Sequence, residues 1–373
     1  NPRITTSKII LSPRQNAKKG QSHIKTLSNH TMRKQSIMNL WQQCFHDSEE
    51  FIKFYFEQKY RDEYSMLYTE NGEALSAYLM LPYPLIWNGK TFMTSYISGA
   101  CTAPQARNRG LMTYLLKKGF QQMYDNNVAL STLIPAETWL YEYYKQLGYA
   151  TVFYKSTNLW QPIPITSSTY KIEIVTETFE SITQESYTYF SKKMQDKPCY
   201  IAHTFEDYNT ILGDLYLSGG KLILTRQSLA PYSICGIALA TCEETEITVK
   251  ELLYDTLEIY NQLLTVATDY WKVPRAVCRT SCHFPTAQPY GMARIIHLKT
   301  LLQHYAATHP DLEETLSVAD NILPCNQGTF HIAHGECQKT SDTLSNTATD
   351  ITALPKKLFA FLDEQPYMNL MID

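Results

Sequence analysis

Apolar positions outline the chain before any chemistry does. From His30, residues Ile37, Leu40, Trp41, Cys44 and Phe45 recur at helical spacing, which predicts a helix with one stripe facing a core. Residues 23–27, just before it, read as a short strand. Asp47 or Ser48 can cap a second helix carrying Phe51, Phe54 and Tyr55. Strand-like runs follow over residues 64–69, 73–81 and 92–102. Asn71-Gly72 and Asn88-Gly89 separate them, and Asn-Gly between strands predicts a tight hairpin. A proline break and an arginine-rich turn with Gly110 then open a helix that ends near Asn126-Asn127. Residues 128–134 form a buried strand, 139–146 a helix closed by Gly148, and 149–153 a further strand.

Pro162 and Pro164 mark a boundary. Residues 168–288 repeat the strand–helix order, with strands at 221–225 and 233–241. A long helix at 254–270 is built on Leu257, Tyr260, Leu263, Leu264 and Ala267. No arginine–glycine turn follows a strand here. A third segment begins near Tyr290: strand 292–298, helix 299–307, strand 314–319, a turn at Asn326-Gln327-Gly328 and strand 329–334. A Ser/Thr-rich loop at 338–350, a short helix at 353–362 and an extended end follow. The predicted fold class is mixed, α+β and α/β. The predicted division is a flexible basic arm (1–21), a first unit (22–157), a second unit (158–289) and a small α+β layer (290–373).

Composition narrows the classes. A chain of 373 residues predicts two or three domains at about 100–200 residues each. With 44% hydrophobic residues and a net charge of −3, it has material for several cores and no global pull on nucleic acid. No run of about 18 apolar residues predicts a membrane span, and residues 1–20 lack a secretory h-region. The first acidic residue is Asp47, after Arg3, Lys8, Arg14, Lys18, Lys19, Lys25, Arg33 and Lys34. That arm reads as solvated, with contact to nucleic acid or lipid as the lesser alternative. The nine cysteines are odd in number and contain no C-x-x-C. Cys278, Cys282 and His283 cluster without a second ligand pair at zinc spacing, so no metal is expected. Buried, reduced thiols fit a cytoplasmic location.

The chemistry concentrates at residues 95–112, a buried strand running into a turn and a helix N-terminus. Amides of a first helical turn have no intrahelical acceptor and carry the positive end of the dipole. With Arg107, Arg109 and Gly110, they predict a pyrophosphate site.

The order of elements over residues 22–155 resembles the GNAT acetyltransferase superfamily. Its acetyl-CoA motif, Arg/Gln-x-x-Gly-x-Gly/Ala, is matched by Arg107-Asn108-Arg109-Gly110-Leu111-Met112, with Met112 in place of the small final residue. The three-segment chain looks more specifically like the enhanced intracellular survival (Eis-like) family, in which Arg-Gly-Leu-Met is common at this turn. That family joins a GNAT domain, a degenerate GNAT-like domain and a sterol-carrier-protein-like C-terminal domain. Lys145-Gln-Leu-Gly148-Tyr149 after Tyr144, Met292-Ala-Arg-Ile-Ile-His-Leu298, Val318-Ala-Asp320-Asn-Ile-Leu-Pro324-Cys-Asn326-Gln-Gly328 and Asp350-Ile-Thr-Ala-Leu354 resemble its landmarks.

The resemblance implies an acetyl-CoA-dependent N-acetyltransferase acting on an aminoglycoside- or lysine-like primary amine. It further implies a homo-oligomer, a hexamer. Ala100 and Thr102 would pair with the pantetheine arm, and the amides from Arg107 to Met112 would take the pyrophosphate. Tyr144 would be the general acid toward the CoA sulfur. A carboxylate at Asp373 would be the base or an orienting group; its low ordinary pKa requires burial for the former. Glu137 can hold a cationic acceptor or cap a helix, and Trp139 can line the pocket or pack. The competing reading is a non-catalytic protein that senses CoA or carries an apolar ligand in its third segment.

Overall fold

The computed structural model describes residues 22–161, 170–177, 179–281 and 287–372. The arm at 1–21, Pro162, Pro164, Cys282, His283 and Asp373 fall outside them.

Residues 23–27 are not a strand: they are the first turns of α1 (Ser22–Cys44). Extending a helix adds one hydrogen bond per residue fixed, whereas an isolated strand has no partner. Ser48 caps α2 (Glu49–Gln58) by accepting from the Phe51 amide at 3.1 Å, while Asp47 accepts from Trp41 Nε1 at 2.7 Å. Next come β1 (Ser65–Glu70), β2 (Glu73–Trp87) and β3 (Lys90–Thr102). Both hairpins turn on left-handed pairs, Asn71/Gly72 at φ 50° and 83° and Asn88/Gly89 at 44° and 76°, as two-residue turns of this hand require. The first unit continues with α3 (Leu111–Asp125), β4 (Leu130–Leu133), α4 (Thr138–Lys145) and β5 (Tyr149–Trp160).

The second unit holds β6 (Tyr170–Val175), α5 (Glu180–Gln195), β7 (Cys199–Ile201), α6 (Phe205–Leu217), β8 (Lys221–Gln227), β9 (Ile234–Glu243), β10 (Glu246–Tyr254), α7 (Leu257–Trp271) and β11 (Ala276–Ser281). Helix α7 starts later than its apolar period suggests, because Thr256 caps it and Tyr254 ends β10. The third segment holds β12 (Gln288–Ile295), α8 (Leu298–Thr308), β13 (Glu314–Ala319), β14 (Gly328–Ala333), β15 (Glu336–Ser341), β16 (Thr349–Asp350) and α9 (Leu354–Phe359). Residues 338–350 are thus not all loop. Strand β15 is polar because it is an edge strand with one buried residue, Cys337.

Among the described residues, one mixed sheet of twelve strands runs β1-β2-β3-β4-β12-β5-β11-β10-β9-β8-β6, with β7 attached to β2. In each half an antiparallel run ends in a parallel pair, β3–β4 in the first and β10–β11 in the second. Between those pairs lie β12 and β5, antiparallel to each other. Strand β12 opens the third segment in sequence, yet it bonds to β4 and β5 of the first unit. The remaining third-segment strands form a separate sheet, β15-β14-β13-β16. Helices α3 and α4 and the turn after α4 cover one face of the first unit with Leu115, Leu116, Phe120, Tyr144 and Leu147, and α1 and α2 cover the other with Leu40, Trp41, Tyr55 and Phe56. No described helix is long and apolar enough to cross a membrane.

Candidate active site

Strand β3 pairs with β4 only from Thr94 to Tyr96, but it runs on to Thr102. Its far half bonds to β2 on one side, and β4 leaves it on the other. The divergence begins after Tyr96, and a little further on the β2–β3 register shifts between Ser98 and Cys101, where Gly99 sits at φ 61°. A free strand edge beside an opening is a template for an extended ligand. Ala100 and Thr102 are half-buried there, and Cys101 between them is buried. The sequence motif did not single out Gly99. A Cβ on it would stand 1.9 Å from Trp41 Cζ3, in a conformation that L side chains resist. Gly99→Ala is expected to destabilise the fold by about 2–4 kcal/mol, strain and overpacking together; an unchanged denaturation midpoint would show that α1 yields at no cost.

At the end of β3 the chain turns over Pro104–Ala106. Asn108 and Gly110 take left-handed conformations at φ 62° and 75°, which glycine and asparagine accept most readily. The Arg107 amide donates to Pro104 O at 3.4 Å and Tyr114 N–H to Gly110 O at 2.9 Å. Between these, the amides of Asn108, Arg109, Gly110, Leu111, Met112 and Thr113 make no backbone hydrogen bond among the described residues. Of the amides from Arg107 to Met112, those of Asn108 to Met112 are thus free of backbone bonds and that of Arg107 is not. Arg107 Nε donates to Thr102 O at 3.3 Å. Arg109 is exposed and paired with Glu70 at the end of β1, 2.9 Å away, and this pairing holds the Glu70 carboxyl below its ordinary range. Leu111 is buried and Met112 packs on the α3–α4 core.

Tyr144 is the buried residue of α4, 7% exposed. Its ring stands edge-on to Tyr149 at 5.6 Å and to Tyr143 at 5.2 Å. Burial pushes its phenol above the ordinary range, with Tyr143 adding to the shift. Its hydroxyl has no hydrogen-bond partner among the described residues. Tyr141, three residues before Tyr144 on the same helix, donates from its hydroxyl to Tyr290 O at 3.0 Å. Tyr143 is the neighbour that reaches α3, through Thr113 Oγ1 at 3.1 Å. Glu137 occupies the N-cap position of α4 without a side-chain cap bond. It instead accepts from Trp139 Nε1 at 2.9 Å, and Trp139 is 62% exposed, so neither residue is packed away.

Residues after Pro366 extend the β2–β7 pairing. Tyr367 donates to Cys199 O and accepts from the Ile201 amide, each at 2.9 Å. A Cβ on Gly291 would lie 2.1 Å from Met368 Cε and 3.3 Å from Leu133 O. The tail therefore crosses the end of β4, where the sheet opens. Asn369 Nδ2 and the Tyr367 hydroxyl both donate to Glu251 Oε2, at 3.1 and 2.5 Å, and His203 bonds Asn369 O at 2.9 Å. Nothing in the sequence linked Glu251 or His203 to the tail; the partners lie 116 and 166 residues apart in the chain. Leu370 and Ile372 are buried. The cysteines do not all follow the buried expectation: Cys44 and Cys242 are half-buried and Cys325 is exposed.

Residues 24–152 match the family model described as Acetyltransferase (GNAT) domain. No curated protein matches the sequence. Among solved structures, a probable N-acyltransferase from Enterococcus faecalis is 17% identical, with a TM-score of 0.69 over 90% of this chain and 96% of its own. A GCN5-related N-acetyltransferase from Anabaena variabilis is 18% identical, with a TM-score of 0.69 over 94% and 97%. Eis1 from Mycobacterium abscessus is 12% identical, with a TM-score of 0.64 over 91% and 97%. At these identities the likeness is one of fold, and it extends over nearly the whole chain.

Proposed function

Starting from the GNAT-type N-acetyltransferase domain at residues 24–152, we propose that this protein moves an acetyl group from acetyl-CoA to a primary amine, aminoglycoside- or lysine-like, by direct transfer. The observation that carries the reading is the free edge of β3 ending at a helix start with unpaired amides. Pantetheine pairs with the edge at Ala100 and Thr102 in the manner of an added strand. The pyrophosphate lies on the amides of Asn108 to Met112, with Arg107 and Arg109 supplying charge. Bound there, the thioester reaches back toward the gap between β3 and β4.

The neutral amine attacks the thioester carbonyl, and the tetrahedral intermediate collapses by expelling the CoA sulfur. Tyr144, with its hydroxyl uncommitted, donates the proton that sulfur needs. The amine's proton passes to a carboxylate at Asp373, directly or through water. Burial of Ile372 and the passage of Met368 beside Leu133 support a tail directed at this gap. A low-dielectric setting is what lifts a carboxylate toward a useful pKa. Glu137 and Trp139 offer a cationic acceptor a charge and an aromatic face at the α4 N-terminus. The Eis-like assignment, the sterol-carrier-like character of the third segment and a hexameric assembly belong to the same proposal.

Two measurements test it. Acetyl-CoA with a panel of primary amines should release CoA, and no release with any amine at acetyl-CoA saturation would favour the sensing or lipid-carrier reading. Arg109→Ala should weaken acetyl-CoA binding about 10- to 100-fold, the worth of one charged hydrogen bond. An unchanged Kd by calorimetry would remove Arg109 from the phosphate site and leave it as the partner of Glu70.

A further inference from the structure

Two landmark stretches of the sequence, 292–298 and 318–328, have no role in the chemistry above. The structure brings them together at one point. Arg294 of β12 lies in register between Ser131 of β4 and Tyr149 of β5. Its guanidinium is fully buried and meets Asp320, also fully buried, through Nη2 at 2.9 and 3.0 Å. Asp320 further accepts from the amides of Ile322 and Leu323 and from Asn326 Nδ2, each at 3.0 Å. The other end of the guanidinium serves the first unit. Nη1 donates to Leu147 O at 2.8 Å, and the Leu147 amide itself bonds Tyr144 O at 2.9 Å. The guanidinium carbon stands 4.8 Å over the Phe120 ring of α3.

The close fit also accounts for Gly148. A Cβ there would lie 1.5 Å from Nη1, so the turn after α4 must pass the guanidinium without a side chain. Stability alone does not explain the arrangement. A buried ion pair is seldom better than apolar residues of the same volume, and Arg294 Nε is left without a partner, a further cost. What the pair supplies is a fixed distance. The loop after β13 holds Arg294, Arg294 holds the carbonyl end of α4, and that end carries Tyr144.

We propose that Arg294 and Asp320 are positioning residues through which the third segment sets the last turn of α4 and the placement of Tyr144. This rests on the reading of Tyr144 as the general acid. On this view the third segment is a working part of the acetyltransferase site rather than an independent ligand carrier.

Asp320→Asn and Arg294→Lys in the full chain test it. The first keeps the shape of the pair; the second keeps its charge but loses the Leu147 hydrogen bond. Each should lower kcat about 10- to 100-fold, the scale of a misplacement near 1 Å, with acetyl-CoA Kd unchanged by calorimetry. A second readout is the alkaline limb of kcat. The titratable and charged groups near Tyr144 are Tyr143 on α4, Tyr149 on β5 and, behind Tyr149, Arg294 on β12. A loosened α4 admits water and lowers the Tyr144 pKa toward its ordinary value, so the limb should move to lower pH. Variants that melt earlier but keep wild-type kcat and the wild-type limb would show the pair to be structural only and overturn the inference. Tyr144→Phe separates the two readings: full activity in that variant removes the acid, whereas an inactive Tyr144→Phe beside an active Asp320→Asn removes only the positioning role.

Discussion

Replacing Tyr144 by phenylalanine is expected to lower kcat about 100- to 10,000-fold, the usual worth of a general acid, while acetyl-CoA affinity stays as it is. The hydroxyl has no partner among the described residues, so its removal leaves no buried group unpaired, and the fold should keep its stability. The ring remains to pack against Tyr143 and Tyr149. On the proposed mechanism, what is lost is a donor at the departing sulfur, both its proton and its hydrogen bond to the developing thiolate. The pH dependence follows from the direction of the shift. An acid works only while protonated, and burial raises the Tyr144 pKa above the phenol value. Its activity is therefore present throughout neutral pH and is lost only as pH rises through that raised value. Wild-type kcat should show no fall from this group below about pH 10. Steady-state release of CoA measures kcat and calorimetry measures Kd; wild-type turnover across amines would exclude Tyr144 as the acid.

Asp320→Ala is expected to cost about 3–5 kcal/mol, the range for removing one partner of a buried pair. That is a large part of the about 5–15 kcal/mol that holds a typical domain. The carboxylate answers four donors: the guanidinium, the amides of Ile322 and Leu323, and Asn326 Nδ2. Alanine takes the acceptor from all four, leaving the guanidinium only its Leu147 bond and the Arg294 charge uncompensated in a site with no exposure. Urea unfolding should show a lowered midpoint with an unchanged slope. A loss below 1 kcal/mol would mean that water replaces the carboxylate.

Much of the first unit was legible because its signals are local. Asn-Gly dipeptides force left-handed turns whatever surrounds them, so both hairpins follow from four residues. The turn before α3 is equally local: Asn108 and Gly110 supply the backbone conformations and Leu111 starts the helix. Local reading failed where long-range partners decide. Residues 23–27 read as a short strand but join α1, because a helix needs no distant partner. Strand β15 is too polar to read as one, since an edge strand buries few side chains. The placement of β12 between β4 and β5 was illegible for a stronger reason: its partners lie well over a hundred residues earlier in the chain, and no periodicity encodes which strand it joins.

The sequence by itself determined the parts that depend on backbone chemistry within a few residues. These are the hairpins, the turn that leaves amides free for an anion, the amphipathic helices and the aromatic residue at the end of α4. Only the tertiary structure decided what those parts face. It parted β3 from β4 after Tyr96, turned Tyr143 rather than Tyr141 toward Thr113, drew the tail over the end of β4 and closed Arg294 on Asp320. Each of these is a contact between distant segments, selected by packing volume and by the need to pair buried polar groups. A local pattern can require that such partners exist but cannot say which residues they are.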